Sequence, residues 1–153
     1  MAQLYPIAGS KIHIGNAAIN DSDADAVEGD FSALTYVEIK GWTQSGRNGD
    51  AAALITSDQI NVSRTKKAKG TSNAGSMENT FDLIYDDPGQ LALIAAQGTQ
   101  DNYPFKVVHK NGATRYFYGL VMSSQEAGGG ANTQHSMAGT IEINSNIVRV
   151  APP

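Results

Sequence analysis

Apolar residues recur at a two-residue spacing along much of this 153-residue chain, the period of strands with one buried face. Lys11, Ile12, His13 and Ile14 alternate until Gly15-Asn16 breaks the pattern, which predicts a short first strand. Phe31, Ala33, Thr35, Val37 and Ile39 share one parity, and Tyr36, Glu38, Lys40 and Trp42 the other, which predicts a second. Leu54, Ile60 and Val62 are in phase between 51 and 62, a weaker strand signal interrupted by Asp58. Met77, Asn79, Phe81, Leu83 and Tyr85 mark a further strand ending at Asp86-Asp87-Pro88. There the spacing changes. Leu91, Ile94, Ala95 and Gly98 follow at i, i+3, i+4 and i+7, so a helix of about three turns is expected. An Asp caps it, Pro sits near its first position, Gly98 stops it, and Leu91, Ile94 and Ala95 form its predicted core face.

Asn111-Gly112 separates two strand-like stretches, 104–110 and 114–124, and is a strong hairpin signal. In the second stretch Tyr116, Tyr118, Leu120 and Met122 oppose Phe117, Gly119 and Val121, so both faces must be covered, by a helix, a second sheet or another subunit. A flexible run, 127–131, precedes the last long strand. Its Met137, Gly139, Ile141 and Ile143 point one way, while Gln134, Ser136, Ala138, Thr140, Glu142 and Asn144 stay wet. Ile147, Val148 and Val150 close the pattern. This order predicts a mainly β domain, a β-sandwich or barrel with one flanking α-helix. A long Pro-free strand with one wet face suggests that a neighbouring copy pairs with an exposed edge.

Two segments carry charge instead of periodicity. Residues 21–30 hold Asp21, Asp23, Asp25, Glu28 and Asp30. Residues 63–76 hold Arg64, Lys66, Lys67 and Lys69 without a large hydrophobe, and are expected to form a mobile arm. Complementary charge suggests that this arm meets the acidic loop of another copy, guiding encounter while apolar burial supplies most of the affinity.

The length fits a single domain, residues 1–153, with one continuous core. Only 17% of residues are charged, whereas Ser, Thr, Asn and Gln number 41, so uncharged polar side chains must cover most of the surface. With no cysteine, disulfides, thiol nucleophiles and Cys-built metal sites are excluded. A net charge of −4 argues against tight binding to nucleic acid, which relies on Lys and Arg neutralising phosphates. No basic region followed by an apolar run opens the sequence, and no apolar stretch approaches the ~20 residues of a bilayer span. A soluble protein without membrane contact, made in the cytosol, is expected.

Candidate chemistry is sparse. His13, His109 and His135 read as surface histidines, and no Ser sits in a G-x-S-x-G elbow. Gly128-Gly129-Gly130 opens no helix, and the Gly41 to Gly46 interval continues as Arg47-Asn48, lacking the Lys and hydroxyl of a phosphate loop. Asp21, Asp23 and Asp25 begin like a calcium loop, but Ala26 stands where Gly is needed and Ser32 where Glu is needed. Neither an enzyme nor a cofactor is expected. Trp42, Tyr36 and Tyr118 offer a stacking platform for a carbohydrate-binding sandwich, against the more frequent use of such aromatics in a core or interface.

The stretches ENTFDLIYDDPGQLALIAAQ, YPFKVVHKNGATRYFYGLVMSSQ and TQHSMAGTIEIN, with a Gly-rich loop before the last, resemble in their order the major tail tube protein of long non-contractile-tailed, siphovirus-type bacteriophages. The resemblance spans roughly residues 11–150 and extends to contractile-tail and type VI secretion tubes. It implies hexameric rings stacked into a hollow virion tail tube, assembled in the host cytoplasm and joined by strands of neighbouring subunits. Its implied partners are a tail tip initiator complex, a tape measure, a tail terminator and non-specifically passing double-stranded DNA. Gln134, Ser136, Thr140 and Glu142 would line the lumen. Residues 56–75, with Arg64, Lys66, Lys67 and Lys69, would form the inter-ring assembly loop, basic where an acidic loop is the pattern. The inner tube of a contractile injection machine is the alternative.

Overall fold

A computed structural model describes residues 3–21 and 24–153. Strand β1 (Lys11–Gly15) is followed by a one-turn helix α1 (Gly29–Ser32), then β2 (Tyr36–Ile39), β3 (Trp42–Gln44), β4 (Ala51–Ser57), β5 (Lys66–Asn73) and β6 (Ser76–Asp82). Helix α2 (Pro88–Gln97) leads to β7 (Tyr103–Val108), β8 (Thr114–Ala127), β9 (Ser136–Ile143) and β10 (Val148–Val150). The protein is mainly β with a flanking helix, as its periodicity predicts. Its main body is one antiparallel eight-stranded sheet, ordered β2-β1-β7-β8-β9-β6-β3 with β10 on β8, in place of two separate sheets.

This sheet curls on itself. Its two terminal strands, β2 and β3, are consecutive in sequence, and Ile39 and Trp42 lie three peptide steps apart, at most about 11 Å. Apolar side chains of alternating parity converge inside the curl: Ile12, Ile14, Ile39, Phe105 and Phe117 from one half, and Met77, Phe81, Met137 and Ile141 from the other. Phe105 and Phe117 are register partners and stack at 5.6 Å. Leu93 and Ala96 of α2 join this core.

The corner where the edges meet is held by polar groups. Gly41 turns the backbone at φ +82°, and a Cβ there would lie 2.5 Å from the Asp82 carbonyl oxygen. The Gly41 carbonyl accepts from the Asp82 N–H at 2.7 Å. Asp87 caps α2 by accepting from the Gln90 N–H at 3.1 Å, and its carboxylate also accepts from the Lys40 N–H at 3.1 Å. Gln90 donates through Nε2 to the Lys40 and Asp82 carbonyls at 2.7 and 2.8 Å, and accepts from the Ile84 N–H at 2.9 Å.

That network fixes the rotation of α2 and corrects its predicted core face. Gln90, Leu93 and Ala96 are buried, whereas Leu91 and Ile94 are 52% and 39% exposed and Ala95 also faces outward. With Leu91, Leu93, Ile94, Ala95 and Ala96 all apolar, spacing alone does not select a face. The first turn, anchored through Asp87 and Gln90, selects it. Gly89 lets the helix sit against β2, since a Cβ there would lie 2.1 Å from the Glu38 carbonyl oxygen. Gly89→Ala is expected to lower stability by about 1–3 kcal/mol through overpacking, read as a reduced melting temperature without loss of β content.

Two other expectations change. Phe31 belongs to α1, not to an extended strand, and stacks on Tyr116 at 5.5 Å, while Tyr36 donates from its hydroxyl to the Phe31 carbonyl at 3.0 Å. The Tyr116–Tyr118 part of the second face of β8 is thus covered within the protomer, whereas Met122 farther along the strand stays exposed. The segment expected as a mobile arm is instead β5, paired antiparallel with β4 in a separate two-stranded ribbon. Lys67 opposes Thr56 and Lys66 opposes Ser57. The turn between them is tied by Thr65 Oγ1 donating to Asp58 Oδ1 at 2.6 Å, and Ile60 and Val62 lie there, outside any strand.

Candidate functional site

The outer face of the β6–β9–β8 half is a continuous, largely polar surface built by three paired strands. Along β9, Met137, Gly139, Ile141 and Ile143 are buried, which leaves Ser136, Ala138, Thr140 and Glu142 on the outer face, as alternation predicts. Gln134 lies before the strand, in the connecting loop. β9 is an interior strand, hydrogen-bonded to β6 on one side and β8 on the other, and so offers no edge of its own.

Register extends the wet face beyond the residues expected from one strand. Ser76, Glu78, Thr80 and Asp82 of β6 oppose Glu142, Thr140, Ala138 and Ser136. A bulge between Val121 and Ser123 brings Ser123 and Gln125 of β8 opposite Thr140 and Ala138. Ser76 donates a hydrogen bond from Oγ to the Glu142 carboxylate. The ordinary parity of 76–82, with Met77, Asn79 and Phe81 inward, already carried this signal. Hydroxyls, the Gln125 amide and the carboxylates of Glu78, Asp82 and Glu142 dominate this surface, with no lysine or arginine among these positions. Leu120, opposite Glu142, and the exposed Met122 in the bulge add apolar groups on the β8 side.

The β4–β5 ribbon is the second feature. Every residue of β4 and all of β5 except Gly70 are exposed. Alternation puts Lys67 and Lys69 on one face with Leu54 and Thr56, and Lys66 on the other with Ile55 and Ala68, while Arg64 lies in the turn. The four cations therefore flank the ribbon tip on both faces. At the ribbon's foot, Asp25, Asp50, Asn73, Asn144 and Asn146 line a polar cleft of about 300 Å³. Asn146 ties the acidic loop down, accepting from the Ala26 N–H at 2.7 Å and donating to the Ala26 carbonyl at 3.0 Å. Asp23 lies outside the described residues.

The carbohydrate platform does not assemble. Trp42 packs on the core and donates from its indole to Asn79 Oδ1 at 3.2 Å. Tyr118 is buried with its hydroxyl donating to Asp21 at 2.7 Å, and Tyr36 lies under the Lys106 ammonium, 5.1 Å from the ring centroid. The histidines also stay apart. His13 is not at the surface but half-buried between its register partners Glu38 and Lys106. Burial, reinforced by the Lys106 charge, lowers its pKa. Burial likewise lowers that of His109, while His135 Nδ1 lies 3.1 Å from the Tyr85 hydroxyl. Among the described residues no three His, Cys, Asp or Glu side chains gather to hold a metal ion, and no helix is long and apolar enough to cross a membrane.

No family model matches this sequence, and none of the curated proteins matches it. Its fold, however, is similar to solved structures of tail tubes and their terminators. The SPP1 tail tube protein superposes with a TM-score of 0.61 at 12% identity, covering 94% of this protein and 78% of that one. The sheath/tube terminator of PVC, an extracellular contractile injection system, gives 0.66 at 11% identity over 98% and 99% of the two proteins. The tube-terminating cap of the anti-feeding prophage gives 0.63 at 12% identity over 99% and 95%. At such identities the likeness concerns the fold, and this protein has the tail-tube fold.

Proposed function

We propose that this protein is a structural subunit of a phage tail tube, forming stacked hexameric rings around a channel for double-stranded DNA. The observation that carries the reading is the β4–β5 ribbon, two strands standing in solvent without a third layer. An isolated two-stranded ribbon is marginal in water, so its stable state is one packed on another copy. The exposed apolar strip of α2, Leu91 and Ile94, adds surface suited to burial between subunits.

In this reading Ser136, Thr140 and Glu142, with Glu78 and Thr80 of the neighbouring strand, face the channel, and Gln134 stands at its rim. Such a lining has no phosphate clamp. Its carboxylates repel phosphates within a Debye length of about 8 Å, so DNA passes without being held. Arg64, Lys66, Lys67 and Lys69 make the inter-ring contact, meeting the acidic 21–30 loop of a neighbour. A tip initiator, tape measure and terminator complete the tail, which is assembled in the host cytoplasm and involves no membrane, cofactor or catalysis.

The inner tube of a contractile machine is the alternative, favoured by the likeness to contractile injection systems. A sheath protein co-purifying with the tube distinguishes the two. For the channel assignment, Thr140→Lys with Glu142→Lys is expected to leave folding and tube assembly intact while slowing DNA ejection from particles. Unchanged infectivity of that double variant contradicts a channel-lining role.

A further inference from the structure

We propose that Asn48-Gly49 is a self-modifying site, at which asparagine converts to aspartate and isoaspartate, while the protein's other Asn-Gly pair, Asn111-Gly112, is protected by the fold.

The chemistry needs no partner other than water. The Gly49 backbone nitrogen attacks the amide carbonyl carbon of Asn48, a new C–N bond closes a five-membered succinimide, and the original bond from that carbon to the amide nitrogen breaks. The backbone nitrogen's proton is given up and the leaving amide nitrogen gains one, departing as ammonia. Water then opens either carbonyl of the ring, leaving a carboxylate on the side chain or on the backbone. The reaction requires an exposed asparagine, a following residue with no Cβ to shield its nitrogen, and a backbone free to bring that nitrogen onto the amide.

Asn48 meets all three conditions. It is exposed in the irregular segment between β3 and β4, and among the described residues neither it nor Gly49 makes a hydrogen bond. Gly49 has φ +131°, and a Cβ there would meet nothing within 4 Å. Asn111-Gly112 has the same chemistry in a locked turn. The Asn111 Oδ1 accepts from the Ala113 N–H at 3.1 Å, and the Gly112 N–H, the proton the reaction must remove, is donated to the His109 carbonyl at 2.9 Å. A Cβ on Gly112 would lie 2.9 Å from Pro153 Cδ, so this turn is also crowded. Conversion at Asn48 adds one negative charge between Arg47 and Asp50, at the foot of the basic ribbon.

The test is incubation of the folded full-length protein at mildly alkaline pH, with peptide mapping by mass spectrometry for the gain of about 1 Da at each site. Conversion at Asn48 is expected to outpace that at Asn111 by about tenfold or more, because two hydrogen bonds must open at the second site. In urea the two rates are expected to converge. Equal rates in the folded protein overturn the proposal, as does an Asn48 that stays intact in the folded protein while the unfolded form converts. A difference that persists unchanged in urea overturns the assignment of protection to the fold.

Discussion

Gln90→Ala is expected to lower the free energy of unfolding by about 3–5 kcal/mol. Gln90 is 1% exposed and serves three backbone groups: the Lys40 and Asp82 carbonyls and the Ile84 N–H. Removing the amide orphans all three at the corner where the first and last strands of the sheet meet, and each buried orphan costs about 1–3 kcal/mol. Against a total stability of about 5–15 kcal/mol, this leaves a marginal protein. Urea unfolding followed by far-ultraviolet circular dichroism checks it, with a lower midpoint at unchanged slope expected. Gln90→Glu keeps the volume but replaces the donor facing two carbonyls with a carboxylate, so it is expected to be at least as harmful. A loss below about 1 kcal/mol for Gln90→Ala contradicts the role given to this network.

Reversing the ribbon's charge is expected to act in the opposite way, sparing the monomer and preventing polymers. Arg64, Lys66, Lys67 and Lys69 changed together to Glu alter exposed positions whose cross-strand neighbours are Ser57, Thr56 and Leu54, so the fold loses no ion pair across this ladder. Exposed substitutions of this kind typically change stability by about 0.5 kcal/mol or less each. Encounter between complementary surfaces is accelerated by about 10–10³-fold, and reversed charges forfeit that gain and add repulsion from the acidic loop. Sedimentation velocity is expected to show a folded monomer at concentrations where the parent protein polymerises. Deleting residues 64–69 is expected to give the same outcome. Normal polymers from either variant contradict the inter-ring role of the ribbon.

The sequence was most readable where one face of a strand is buried. Met77 and Phe81, and Met137 and Ile141, give unambiguous phase because their outward neighbours are polar, and the structure pairs these two strands directly. The Asp87-Pro88 start of α2 was equally legible, because capping depends on local chemistry. The rotation of α2 was not, since an uncharged apolar helix has no polar side to mark the outward face, and the decisive residue, Gln90, is a buried amide. Strand β5 is not legible in the sequence because SRTKKAKGTS contains no apolar signal, whereas a ladder needs only backbone hydrogen bonds. Alternation in β9 marks only its own share of the wet face; the parity of β6 marks Ser76, Glu78, Thr80 and Asp82, and the register between the two strands, which alternation does not reveal, joins them into one surface.

Electron microscopy of the purified, concentrated protein tests the central claim most directly. Hollow tubes of stacked rings, dispersed by charge reversal on the ribbon, are the predicted result. A field of discrete single molecules at every concentration would contradict it, because the ribbon and the outward face of α2 would then be stable in water without a second copy to cover them.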